Sequence, residues 1–150
     1  MQAIKNVRLK DYDYRINGYY FVTIVTDGRR CCLEGKSKDL VQKHLESLSS
    51  ERGISIDFFV VMPIHIHFVL VMSECPLSLG EIVRRFKART SLAAGRRLWQ
   101  PNYYEHVIRS DKALLKIREY IDQNPDAEKM DWNAIEERPI NRATTKPEPV

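Results

Sequence analysis

Two histidines two residues apart, His65 and His67, stand inside the apolar run Val60-Val61-Met62-Pro63-Ile64-His65-Ile66-His67-Phe68-Val69-Leu70-Val71. In a strand, residues i and i+2 point to the same face, so both imidazoles leave the sheet together. A polar pair in such surroundings costs free energy unless each nitrogen finds a partner, and two neutral imidazoles suit a divalent metal. Two core histidines satisfied by protein groups are the alternative, since a metal motif ordinarily needs a third ligand. Further along, Tyr120 and Asn124 are four residues apart in a helical stretch, which stacks their side chains on one face. If that helix lies beside the histidine strand, two nitrogens and an amide oxygen surround a cation, with a phenol next to it as nucleophile. A free phenol, with a pKa of about 10, attacks poorly at neutral pH and needs nearby positive charge or a base. An edge-of-core tyrosine bonded to backbone is the bland alternative for Tyr120.

The elements that must hold these residues are legible in order. Asn17-Gly18 is a turn signal, and Tyr19 to Thr26 is aromatic and β-branched throughout, which predicts a central strand buried on both faces. Val41, Leu45 and Leu48 recur at helical spacing between Ser37 and about Ser50, with His44 a packing residue on that stripe. Ser55 to Met62 alternates Ile56, Phe58, Val60 and Met62 against Asp57, Phe59 and Val61, a second strand. Pro63 breaks the ladder, so this strand and the histidine strand form a tight antiparallel hairpin. Ile64, Ile66, Phe68, Leu70 and Met72 then make an apolar face that packs on helices.

Ser78 and Glu81 have the spacing of a capping box, ahead of Leu79, Ile82, Val83 and Phe86 at helical spacing, and Gly95 ends that helix. Tyr103 to Arg109 predicts a fourth strand. Ser110-Asp111 caps a third helix, Lys112 to about Asn124, with the stripe Leu114, Ile117 and Ile121, and Asn124-Pro125 stops it. Four antiparallel strands with helices on one face make an α+β ferredoxin-like sandwich, which leaves the other sheet face for the histidines and a C-terminal tyrosine-bearing helix. Residues 1–135 are expected to form one domain and 136–150, with Pro139, Pro147 and Pro149, a mobile tail.

The totals narrow the class. At 150 residues the chain is long enough for one real core, and 43% hydrophobic with 29% charged residues is ordinary for a globular protein. No membrane span or export signal is visible, so the expected compartment is the cytoplasm. Cys31, Cys32 and Cys75 read as free thiols, and with no Cys-x-x-Cys pair a zinc ribbon is not supported. A small hydrolytic zinc enzyme would lack an obvious carboxylate base. The net charge of +4 is modest but uneven: Arg84, Arg85, Lys87, Arg89, Arg96, Arg97 and Arg109 face the single acid Glu105 in that stretch. Such a block suits a polyanion, though a solvated helix face is the commoner fate of a charge run.

Three motifs, Met62-Pro63-Ile64-His65-Ile66-His67, Trp99-Gln100-Pro101 running into Tyr103-Tyr104-Glu105-His106-Val107-Ile108-Arg109, and Glu119-Tyr120-Ile121-Asp122-Gln123-Asn124-Pro125, resemble the transposases of insertion sequences that move as single-stranded DNA. The likeness is greater still to the REP-associated tyrosine transposases, and it runs from about Arg8 to Trp132. It implies an HUH endonuclease, in which Ile66 is the apolar U residue. His65 and His67 would be metal ligands, Asn124 would take the place of the third, amide-type ligand, and Tyr120 would be the nucleophile. The implied cofactor is Mg²⁺ or Mn²⁺, and the implied partner is single-stranded or hairpin DNA, cleaved through a 5′-phosphotyrosine intermediate. Arg8, Lys10 and Arg15 of the N-terminal arm, with Arg84, Arg85, Lys87 and Arg89, would contact that DNA. Relatives complete the site within one chain or in an intertwined homodimer. The chain departs from the pattern at Ile64, where the family usually has a polar residue, and at Asn124, which precedes proline. His106 reads first as a structural residue. The alternative function is a nucleic-acid-binding module of the same fold without catalysis, stacking single strands on exposed sheet aromatics.

Overall fold

The computed structural model of the chain describes residues 17–127. The arm residues Arg8, Lys10 and Arg15 and the expected boundary at 135/136 lie outside the described residues. Eight elements follow in order: β1 (Gly18–Val25), a 3₁₀ turn (Asp27–Arg29), α1 (Lys36–Leu48), β2 (Ile54–Val61), β3 (His65–Met72), α2 (Leu79–Ala94), β4 (Tyr104–Ile108) and α3 (Asp111–Gln123). The strands form one antiparallel sheet in the order β2-β3-β1-β4, the expected α+β ferredoxin-like arrangement. Among the described residues no helix is long and apolar enough to cross a membrane.

The unbroken aromatic and β-branched run of β1 has a physical cause: the strand lies between β3 and β4 and is covered on both faces. On one face Tyr20, Val22 and Ile24 join Ile66, Phe68, Leu70 and Met72, and α1 and α2 close over them with Val41, Leu45, Ile82 and Phe86. On the other, Phe21, Val69 and Ile108 meet Ala113, Leu114, Ile117 and Ile121 of α3. Each face buries its own core, so the histidine face is covered in part by the tyrosine-bearing helix.

One expectation fails in β2. Strict alternation would put Ile56 beside Phe58 and Val60, but the register shifts between Ile56, paired with Leu70, and Phe58, paired with Val69. Asp57 is the extra residue of a β-bulge, and past it every side chain changes face. Phe58 and Val60 accordingly pack toward α3, whereas Ile54, Ile56, Phe59 and Val61 pack toward α1 and α2. The bulged Asp57 accepts from both Nε (2.9 Å) and Nη2 (2.5 Å) of Arg118, tying α3 to the sheet edge.

The turn before His65 is as short as the proline suggests. Val61 pairs with Ile66, and Met62 N–H donates to the His65 carbonyl at 2.8 Å, leaving Pro63 and Ile64 as the loop. Proline loses no ladder hydrogen bond there. The carbonyls of Ile64 and Pro63 accept from Thr26 N–H (2.8 Å) and Leu33 N–H (3.1 Å), which pins the loop to the end of β1 and fixes where β3 begins.

Candidate active site

His65 and His67 are the first and third residues of β3, and their rings lie side by side with centroids 4.5 Å apart and a 54° tilt. They are 3% and 0% exposed, so neither nitrogen can rely on bulk water. His67 Nε2 bonds the carbonyl of Ala127 at 2.8 Å, and His65 Nε2 bonds that of Pro125 at 3.0 Å. A carbonyl only accepts, so Nε2 is the protonated nitrogen of each ring. His67 Nδ1 meets the Thr23 hydroxyl at 2.8 Å, and the ring stacks on Phe21 with centroids 5.4 Å apart. Burial, reinforced by the charge His65 would place beside it and only partly offset by the Ala127 carbonyl, pushes the His67 pKa from 6.5 down to about 3. At neutral pH the His67 imidazole is uncharged, the form that ligates metal.

His65 Nδ1 is buried with no hydrogen-bond partner among the described residues. A buried polar atom left unpaired costs about 1–3 kcal/mol, so the described groups around this ring do not supply its full complement of partners. The His65 ring thus keeps a spare nitrogen of the kind a divalent cation takes up, whereas both nitrogens of the adjacent His67 are engaged, by Thr23 and Ala127. Among the described residues no group of three or more His, Cys, Asp or Glu side chains could hold an ion.

The tyrosine helix lies over the same sheet face. Ser110 caps α3 by accepting Ala113 N–H at 3.0 Å, and the predicted stripe of Leu114, Ile117 and Ile121 is the one that packs on Phe21 and Val69. Tyr120 is half-buried against that cluster. The two carbonyls on the histidines, from Pro125 and Ala127, belong to the segment that follows Tyr120 in the same chain.

Asn124 is turned elsewhere. Proline after it forces it out of helical geometry, to φ −135° and ψ 57°. It is exposed, and its amide Nδ2 donates to the Tyr120 carbonyl at 3.2 Å. The oxygens that meet the two Nε2 atoms are therefore backbone carbonyls, and the amide side chain predicted as third ligand caps its own helix.

The four basic residues predicted on the second helix lie across the sheet, because α2 packs on the face opposite the histidines. Ser78 accepts Glu81 N–H at 3.2 Å as the capping box requires, but the Glu81 carboxylate does not reach back to Ser78. It bonds Arg84 (2.6 Å) and Arg85 (2.8 Å) instead, and these two guanidinium groups hold its pKa at about 2. Arg89 pairs with Glu51 at 3.1 Å, and Lys87 Nζ donates to the carbonyls of Pro101 (2.9 Å) and Asn102 (3.3 Å), steadying the loop into β4.

The middle motif is largely architectural. Trp99 is buried, its indole N–H donates to Thr90 Oγ1 at 2.8 Å, and Gln100 N–H donates to the Val25 carbonyl at 3.0 Å. His106 pairs with Phe21 across β1 and shares the histidine face. Among the described residues His106 does not join the pair in a group of three metal-ligating side chains. Sequence reading missed Thr23 and the Pro125 and Ala127 carbonyls. Thr23 sits on the histidine face of β1 by alternation with Phe21, but its pairing with His67 is a matter of register.

A ferredoxin-like α+β domain with a histidine pair beneath a tyrosine-bearing helix is thus the class this architecture defines. A family model described as "Transposase IS200 like" matches residues 15–124, and the chain belongs to that family. It is 34% identical over 157 aligned residues to an uncharacterised protein of Haemophilus influenzae, covering 81% of this chain and 87% of that one. It is 27% identical over 113 residues to the REP-associated tyrosine transposase of Escherichia coli K12, covering 75% of this chain and 68% of that one. Among solved structures, a REP-associated tyrosine transposase bound to a REP hairpin superposes with a TM-score of 0.66 at 26% identity, covering 83% of this chain and 73% of that one. A proposed transposase of Deinococcus radiodurans R1 shares the fold with a TM-score of 0.54 at 21% identity, covering 76% of this chain and 94% of that one.

Proposed function

We propose that this chain is a divalent-metal-dependent single-strand DNA nickase and strand transferase acting at hairpin-associated sites, with Tyr120 as nucleophile and His65 and His67 as metal ligands. The observation that carries the reading is the pair of buried imidazoles beneath the helix that bears the tyrosine, in one chain. Support also comes from the similar REP-associated tyrosine transposase solved with a REP hairpin.

The phenol oxygen of Tyr120 attacks the scissile phosphorus, loses its proton to solvent, and forms a 5′-phosphotyrosine while the leaving oxygen departs as a free 3′-hydroxyl. Attack by a 3′-hydroxyl on that linkage reverses the step, so rejoining conserves the phosphodiester energy and needs no ATP. Mg²⁺ or Mn²⁺, when bound, polarises the phosphate oxygens and offsets their charge. His65 and His67 would hold the ion through ring nitrogens that carry no proton, and their Nε2 atoms would become available only where the bonds to Pro125 and Ala127 are given up. Asn124, whose amide Nδ2 donates to the Tyr120 carbonyl, would supply the third, amide-type ligand through its oxygen. Arg84, Arg85, Lys87 and Arg89, with Arg8, Lys10 and Arg15, bind the hairpin backbone.

Incubation with a labelled hairpin oligonucleotide and Mn²⁺ tests this: the chain should acquire a covalent DNA adduct that Tyr120→Phe abolishes. An adduct that survives in Tyr120→Phe removes the assignment. A second reading, a non-catalytic single-strand binder, draws on the carbonyls now holding both Nε2 atoms and on Tyr104, 42% exposed on the histidine face of the edge strand β4, where a base can stack. It predicts binding with no adduct under any metal.

A further inference from the structure

We infer that Thr23 is a positioning residue for the histidine pair, holding His67 Nδ1 so that Nε2 is the one nitrogen this ring can offer to a cation. The inference rests on the metal reading above. Thr23 is 1% exposed, lies directly opposite His67 in the β1–β3 register, and bonds its Nδ1 at 2.8 Å. A β-branched side chain in a strand has few rotamers, so the hydroxyl is held in place by its own backbone. With Nδ1 bound on one side and Phe21 stacked against the ring, rotation of the imidazole would break both interactions.

The choice of a hydroxyl has a chemical consequence. In the present arrangement Nε2 carries the proton and donates to Ala127, so Nδ1 is a bare acceptor and the Thr23 hydroxyl donates to it. A ligating Nε2 has lost that proton, and the neutral ring then carries its proton on Nδ1, which must donate. A hydroxyl does both, by turning about its C–O bond. A carboxylate or backbone carbonyl would favour only the second tautomer, and a methyl would satisfy neither. Thr23 therefore keeps His67 bonded on the sheet side in both states, while Nε2 exchanges a carbonyl for a cation.

The test is Mn²⁺ binding by the full chain without DNA, followed by the electron paramagnetic resonance signal of the free ion. Thr23→Val keeps the shape and β-branching and removes the hydroxyl, and loss of such an outer partner should weaken Mn²⁺ binding by roughly 10- to 100-fold. Thr23→Ser should restore most of it. Nitrogen NMR of the wild-type His67 ring should show the proton on Nε2 without metal and on Nδ1 with saturating Mg²⁺. Equal Mn²⁺ affinity in wild type and Thr23→Val, or a ring that keeps its tautomer, overturns the role of Thr23 alone. A wild-type chain that takes up no Mn²⁺ overturns the metal reading and this role with it.

Discussion

Mild acid, between pH 7 and pH 5, should destabilise this protein through the His67 ring. His67 titrates at about 3 in the folded chain, against an ordinary histidine value of 6.5. Above pH 6.5 the ring is neutral in both states and makes no pH-dependent contribution. Between 6.5 and 3 the unfolded chain binds a proton that the folded chain does not, so stability falls as pH falls. At pH 5 the solution is about 1.5 pH units into that window, and at about 1.36 kcal/mol per pH unit the cost is about 2 kcal/mol. The perturbation is His67→Gln, which removes the titrating group and leaves His44, His65 and His106 in both proteins. Urea unfolding at pH 7 and pH 5, without metal, gives the free energies. The wild type should lose about 2 kcal/mol more than the variant across this interval. Parallel losses would mean that His67 can be protonated in place, and would refute a pocket sealed against charge.

Other outcomes are set by the same geometry. Arg84→Ala with Arg85→Ala should weaken hairpin DNA binding and flatten its dependence on log salt concentration by roughly 0.9 for each phosphate these side chains neutralise; an unchanged slope would leave these residues as partners of Glu81 only. Ser110→Ala removes the side chain that accepts Ala113 N–H at the start of the tyrosine helix and should cost about 1 kcal/mol, read by thermal unfolding. Ile117→Ala opens a cavity under the same helix, where the side chain is 0% exposed, and should cost about 2–5 kcal/mol. Losing Arg118 from its exposed pair with Asp57 should cost no more than about 1 kcal/mol.

Sequence alone determined those features whose causes are local. The two-residue period put both histidines on one face, the unbroken β-branched run made β1 central, Ser110 and Pro125 bounded the tyrosine helix, and Ile117 and Ile121 marked the side that packs. Each depends on neighbours within a turn or two of chain. What the sequence withheld depends on register and on the chain's return. The bulge at Asp57 reversed the faces of β2, because one inserted residue shifts a period of two and nothing in its composition announces it. Thr23 became the partner of His67 only when β1 and β3 aligned. The Glu81 carboxylate chose guanidinium groups one turn ahead over the backbone behind it, since charge-assisted bonds are the stronger. Above all, the imidazoles are capped by the carbonyls of Pro125 and Ala127, main-chain atoms that every residue carries, so no residue type could signal them. Only the path of the chain past the end of α3 decided that these oxygens, and not the amide of Asn124, stand beside the histidines.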